Sequence, residues 1–223
     1  STPRIFRTPT PDAQDIDDDR YVAVMGGGMG AGNSCLGSGV FVVDLEGGAD
    51  QNSDSDLAQH DAGKLFTDGP ILILDSDPDR SKIGSTTAGT FTKGSPITNS
   101  IPANPIVITA DKTDSNWRCA MVYVNDLEGK ITKFNLTNME QDSDMKRIKI
   151  FDSTTLFIAE STEKNGRYMY HSMDATIGGD TNQLWLFAGT GDYERINDTG
   201  TKKRKPDNLM LGIRDKNYPY YKD

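Results

Sequence analysis

The chain has 223 residues and a net charge of −9, a length that suits one domain and a charge that opposes binding to nucleic-acid phosphates. No apolar run approaches the roughly 20 residues that a transmembrane helix requires. The 33 acidic residues comprise 27 Asp and only 6 Glu. Because Asp, Gly, Pro and Asn favour turns while Glu favours helices, this composition predicts an all-β fold and excludes a helical bundle.

Eight short segments are predicted to form β-strands. Each has four or five residues, is rich in β-branched or aromatic side chains, and is bounded by Gly, Pro, Asp or Asn. In chain order they are residues 21–25, 39–43, 70–74, 105–109, 121–124, 130–134, 184–187 and 209–213. No segment has the pattern of an amphipathic helix.

Two strands resemble one another, because VFVVDLEGG at residues 40–48 and VYVNDLEGK at residues 122–130 both run into Asp-Leu-Glu-Gly. A third, looser unit starts near residue 184. Strand pairs that recur around such turns are typical of radially repeated sheets. The sequence therefore predicts part of a β-propeller, made of antiparallel blades with long acidic loop insertions. Its repeat units lie near residues 1–104, 105–183 and 184–223, and the two copies are expected at matching places in neighbouring sheets.

An acidic segment places oxygen ligands in the alternating pattern of a calcium-binding loop. The ligands would be Asp50, Asn52, Asp54, Asp56 and Asp61. The sixth position is Ser55, where the sharp turn of such a loop favours Gly. A solvated acidic loop is the alternative interpretation.

The two cysteines, Cys35 and Cys119, match no zinc-binding spacing. Either they form a disulfide, which the chain-entropy estimate values at roughly 4 to 5 kcal/mol, or they are two buried free thiols. The sequence leaves both alternatives open.

The sequence offers little to support catalysis. The chain has only two histidines, His60 and His171, and no nucleophile elbow. Gly26, Gly28 and Ala31 satisfy a dinucleotide-binding pattern, but the residues after them cannot sustain the helix that this motif requires. We predict no enzymatic activity. We also expect aromatic residues such as Tyr193 to pack between strands rather than to form a ligand platform.

The order of these motifs resembles a known family. VYVNDLEGKITKFNL at residues 122–136, LWLFAGTGDYERIND at residues 184–198 and LGIRD at residues 211–215 are similar to the C-terminal β-propeller domain of the PilC/PilY family. These proteins are type IV pilus tip adhesins and assembly factors. The resemblance implies a non-enzymatic adhesion module at the cell surface, whose partners are minor pilins, a host or surface ligand, and the remainder of its own propeller. The family's larger N-terminal adhesive region is not in this sequence.

The resemblance also implies a calcium loop just before the strand at residues 121–124. The matching residues are Asp111, Asp114 and Asn116, with Trp117 where the family has Gly.

Two other protein classes use similar repeated strands. One is a quinoprotein-type propeller dehydrogenase, for which the chain offers no cluster of cofactor-binding residues, and the other is a filament or phage tail propeller.

Overall fold

The fold was obtained as a computed structural model, which describes residues 1–8, 20–29, 37–45, 71–75, 90–94, 97, 99–109, 120–136, 152–179, 182–193 and 207–218. In these ranges the chain forms twelve β-strands in three sheets and no α-helix. The all-β class predicted from composition is therefore confirmed.

Sheet 1 is built from the N-terminal half of the chain. It contains β1 (Arg4–Thr8), β2 (Arg20–Gly26), β3 (Val40–Asp44), β4 (Ile71–Asp75) and β5 (Thr90–Gly94), in that spatial order. The pairs from β1 to β4 are antiparallel, whereas β4 and β5 are parallel. Sheet 1 is therefore mixed, unlike the antiparallel blades that the sequence predicts.

Sheets 2 and 3 are antiparallel meanders. Sheet 2 contains β6 (Ile106–Thr109), β7 (Ala120–Asn125), β8 (Lys130–Asn135) and β9 (Asp152–Ile158). Sheet 3 contains β10 (Asp174–Ile177), β11 (Leu184–Gly189) and β12 (Met210–Asp215). Sheet 3 thus begins with β10, ten residues before the start of the third predicted unit.

All eight predicted strands form, and the four strands that the sequence pattern missed lie at sheet edges. The missed strands are β1, β5, β9 and β10. An edge strand pairs on one side only and tolerates charged and hydroxyl side chains, so its apolar signal is weak. The sequences RIFRT of β1 and DATI of β10 illustrate this mixed composition.

Sheet 2 lies between the other two sheets and is covered on both faces. One apolar cluster joins Val24 and Val42 of sheet 1 to Val122 of sheet 2. A second cluster joins Met121 of sheet 2 to Leu186 of sheet 3. Every residue of β7 and β8 is buried. Since successive side chains of a strand point to opposite faces, this burial means that sheet 2 packs against sheet 1 on one face and sheet 3 on the other.

The second Asp-Leu-Glu-Gly copy forms the tight turn between β7 and β8. The Asp126 carboxylate oxygen Oδ1 accepts hydrogen bonds from the N–H groups of Glu128 at 2.9 Å and Lys130 at 3.0 Å. The Gly129 N–H donates to the Asp126 carbonyl at 3.0 Å, and Gly129 has a φ of 76°. A turn closed by a glycine in the left-handed region is a common hairpin connection, so this copy is the hairpin that the sequence predicts.

The first copy lies elsewhere in its sheet, so the expectation of matching places is wrong. It starts at the end of β3, the third strand of sheet 1, whereas β7 is the second strand of sheet 2. The turn after β7 lies beside the loop between β2 and β3, since Leu127 N–H donates to Ser100 O and Ile101 N–H to Gly37 O. Leu45 lies at the opposite end of β3, where its N–H donates to Tyr21 O. The additional strand β1 shifts the copies out of correspondence.

A Gly→Ala variant in the turn between β7 and β8 tests its geometry, and two Gly→Ala variants elsewhere serve as controls. At Gly129 a Cβ would lie 2.9 Å from the Arg167 carbonyl oxygen, and the positive φ adds strain. Gly28 has a φ of 84° but open space around it, and Gly189 has open space without the positive φ. The left-handed conformation costs an L-residue about 1 to 2 kcal/mol. In urea unfolding we expect the largest loss of stability for Gly129→Ala, a smaller loss for Gly28→Ala and the smallest for Gly189→Ala. Equal losses in the three variants would contradict the turn geometry described for Gly129.

Candidate functional site

A groove of 710 Å³ lies where the first strands of the three sheets meet. Its walls come from β1, β6 and β10, each of which pairs with one strand only among the described residues. Most of the lining residues have apolar side chains, such as Phe6, Ile108 and Ile177, while polar and apolar atoms contribute about equally to the groove surface. Arg4 and Asp174 are its charged residues.

Three residues at equivalent positions connect the strands that line the groove. Thr2, Asn104 and Ser172 each stand two residues before the first strand of their sheet. Thr2 N–H donates to Asn104 Oδ1 at 2.6 Å, and Asn104 N–H donates to Ser172 Oγ at 3.0 Å. Thr2 and Asn104 also each precede a proline, which favours an extended approach to the strand. The three strands therefore begin side by side.

The groove has features that suit contact with another polypeptide. Its apolar side chains and its strand edges, which carry main-chain donors and acceptors, are features that recognise another polypeptide segment. Within the described ranges, no group of three or more His, Cys, Asp or Glu side chains is placed to hold a metal ion.

Aromatic side chains form a second surface feature. The Tyr170 and Tyr193 rings contact edge to face with centroids 5.0 Å apart, and His171 contacts Tyr193 at 5.3 Å. The Tyr193 hydroxyl lies 2.5 Å from His171 Nε2. Tyr193 is 51% exposed, so the expectation that it packs between strands is wrong. It follows the Gly-Thr-Gly-Asp segment after β11, and this position beyond the strand is the sequence signal for exposure.

A buried polar cluster joins sheet 2 to sheet 3. Lys133 Nζ lies 2.6 Å from Asp215 Oδ2, and the two side chains are 0% and 1% exposed. The Tyr123 hydroxyl donates to the same Asp215 oxygen at 2.7 Å. Asn217 N–H donates to the other carboxylate oxygen at 3.1 Å. The carboxylate of Asp215 thus accepts hydrogen bonds from three groups.

Strand pairing explains how these side chains meet. Tyr123 on β7 and Lys133 on β8 are direct cross-strand partners, so their side chains lie on the same face, toward sheet 3. Asp215 is the last residue of β12. Burial lowers the pKa of Lys133, although the Asp215 carboxylate opposes this shift, and burial raises the pKa of Tyr123. The sequence does contain a signal of this cluster, because Lys133 lies two residues after Ile131 and therefore on the same, inward-facing side of β8. Its partner Asp215 is distant in sequence, so the pattern alone does not identify it.

Asp126 is a second buried acid, in the turn between β7 and β8. It is 1% exposed, and its Oδ2 atom has no hydrogen-bond partner. Burial raises its pKa to about 6, although backbone hydrogen bonds from Lys130 and Glu128 oppose the shift. The turn therefore contains a carboxyl group that is easier to protonate than an exposed one.

The other candidate residues lie outside the described part of the chain. They are Asp50, Asn52, Asp54, Asp56 and Asp61 of the first calcium loop, Asp111, Asp114 and Asn116 of the second, and Cys35 and Cys119. Calcium binding and the state of the cysteines stay predictions. In the ranges that the structure does cover, no helix is long and apolar enough to cross a membrane.

No protein-family model, curated protein or solved structure matches this chain.

Replacement of Asp126 by Asn tests the effect of the buried carboxyl group on stability. Because its pKa is higher in the folded chain than the ordinary 3.8, the folded state binds this proton more tightly than the unfolded state. The contribution of the Asp126 carboxyl group to the free energy of unfolding therefore falls as the pH rises from about 4 to about 6, and it stays low above that. Asn keeps the oxygen that accepts the turn's hydrogen bonds but does not titrate. The stability of Asp126→Asn relative to the wild type should rise by about 2 kcal/mol between about pH 4 and pH 7 in urea unfolding, and a constant difference would contradict this.

Proposed function

We propose that the chain is part of a β-propeller that acts as a non-enzymatic structural and adhesion module of a type IV pilus tip or pilus assembly factor. The observation that carries the proposal is the arrangement of the three sheets around one groove. In a propeller, four-stranded blades are arranged radially around a central channel. The groove lined by β1, β6 and β10 supports the same arrangement here.

Convergence of the sheets supports a radial arrangement over a flat stack. Stacked sheets usually lie about 10 Å apart. Cα atoms of β1 and β6 approach within 8 Å of each other, so sheets 1 and 2 come together at their first strands. The hydrogen bonds through Thr2, Asn104 and Ser172 extend this relation to sheet 3. Three such sheets are fewer than most propellers contain, so further blades would complete the ring.

The pilus assignment rests on the resemblance of residues 122–136, 184–198 and 211–215 to the PilC/PilY propeller domain. The structure is compatible with a binding role, because apolar side chains line much of its groove and both Tyr193 and His171 are exposed. We propose minor pilins or a surface ligand as partners, and an extracellular position at the pilus tip or outer membrane. The predicted calcium loops would belong to the same module.

Immunogold electron microscopy with antibodies raised against the chain tests the proposal in cells that express it. We expect label at the tips of pili, and we expect deletion of the coding gene to reduce both the number of pili and surface adhesion. Complementation with the intact gene is the control and should restore both. Label confined to the cell interior, or unchanged pili and adhesion after deletion, would contradict the proposal.

The absorption spectrum of the purified protein separates the proposed module from a propeller dehydrogenase. The pilus module should show only the absorption of its aromatic residues. A quinone chromophore that copurifies with the protein would contradict the non-enzymatic assignment and favour the dehydrogenase.

A further inference from the structure

We propose that the side chains of Lys133 and Asp215 condense to an amide bond that links sheet 2 covalently to sheet 3. The geometry is a buried amine 2.6 Å from a buried carboxylate oxygen, and neither side chain is reached by solvent. The two strands involved, β8 and β12, belong to different sheets. This inference does not depend on the proposed function.

Burial favours the condensation energetically. A charged pair that is removed from water bears a desolvation penalty, and only part of it is recovered by the attraction between the charges. Condensation replaces both charges by a neutral amide. Only the neutral amine is nucleophilic, and an apolar environment shifts the equilibrium from ammonium toward amine. The surroundings that make the ion pair costly therefore also activate the lysine.

The two carboxylate oxygens of Asp215 have separate partners, because Oδ2 contacts Lys133 Nζ and Oδ1 accepts a hydrogen bond from Asn217 N–H. A proton moves from Lys133 Nζ to Asp215 Oδ2 across their contact, which leaves a neutral amine and a neutral carboxylic acid. The Nζ lone pair then forms a bond to Cγ. Negative charge develops on Oδ1, which already accepts a hydrogen bond from Asn217 N–H at 3.1 Å.

The step balances with water as its only other product. The bond from Cγ to Oδ2 breaks, and Oδ2 leaves as water after it takes a second proton from Nζ. The Tyr123 hydroxyl donates to Oδ2 at 2.7 Å and stabilises this departing oxygen. The ammonium and carboxylate thus become one amide and one water, and no oxidant or cofactor is consumed.

The location favours both the rate and the product. Groups held in contact react with effective concentrations of roughly 10⁵ M or more when they are well oriented. Met121, Ile131 and Leu184 belong to the apolar cluster between the two sheets and are fully buried. This cluster keeps away the water that would hydrolyse the amide.

Mass spectrometry of the purified full chain under reducing conditions tests the proposal. We expect an intact mass lower than the sequence mass by one water molecule, and reduction removes the contribution of any disulfide. Trypsin should not cleave after Lys133, and the digest should contain a branched peptide that joins Lys133 to Asp215. Lys130 is an internal control, since its partner Glu128 at 3.0 Å is 41% exposed and the pair should stay unlinked.

Two variants define the reacting groups. Asp215→Ala should retain the full sequence mass, because it has no carboxyl group to condense. Tyr123→Phe keeps the buried ring but removes the hydroxyl group, so we expect a smaller linked fraction after the same time. If folded wild-type protein has the full sequence mass and is cleaved after Lys133, the pair is an ordinary ion pair and the proposal is wrong. Equal linked fractions in Tyr123→Phe and wild type would overturn the role given to Tyr123.

Discussion

Both faces of sheet 2 are buried, and this burial decides which side chains its strands can carry and where the other two sheets lie. Every residue of β7 and β8 is buried, so the favourable solution is an apolar side chain or a polar one with a partner within the protein, although Thr132 Oγ1 has no hydrogen-bond partner. Val122 and Phe134 meet this condition by packing toward sheet 1. Lys133 meets it through Asp215, which reaches across from sheet 3. The buried ion pair is thus a consequence of the layer arrangement, and it joins sheet 3 to sheet 2 beside the apolar cluster.

The same arrangement directs the binding features to particular parts of the molecule. Because the faces of sheet 2 are occupied, its first strand β6 contributes an edge rather than a face to the surface. That edge meets β1 and β10 at the groove, and the hydrogen bonds of Asn104 to Thr2 and Ser172 align the three strands. A scaffold whose interior is filled and whose edges converge presents binding surfaces at its groove and loops, which is the property that the proposed adhesion module requires.

Sequence patterns predict all six inner strands but only two of the six edge strands, β6 and β12, and they do not reveal the buried cluster. Apolar runs identify β7 and β8 because burial demands apolar side chains, whereas edge strands such as β1 carry charges and were missed. The repeated Asp-Leu-Glu-Gly misled the prediction of equivalent sites, because a turn motif reports local backbone geometry and not the position of a strand in its sheet. Asp215 could not be matched to Lys133, because their contact depends on how two sheets pack and leaves no local spacing in the sequence.

Amide hydrogen exchange of the intact chain tests whether sheet 2 is enclosed on both faces. Exchange reports the free energy of local opening, and strands enclosed on both faces open least readily. We expect the slowest exchange in β7 and β8 and faster exchange in β1 and β10 at the groove. Exchange in β7 and β8 as fast as in β10 would contradict the enclosure of sheet 2 between its neighbours.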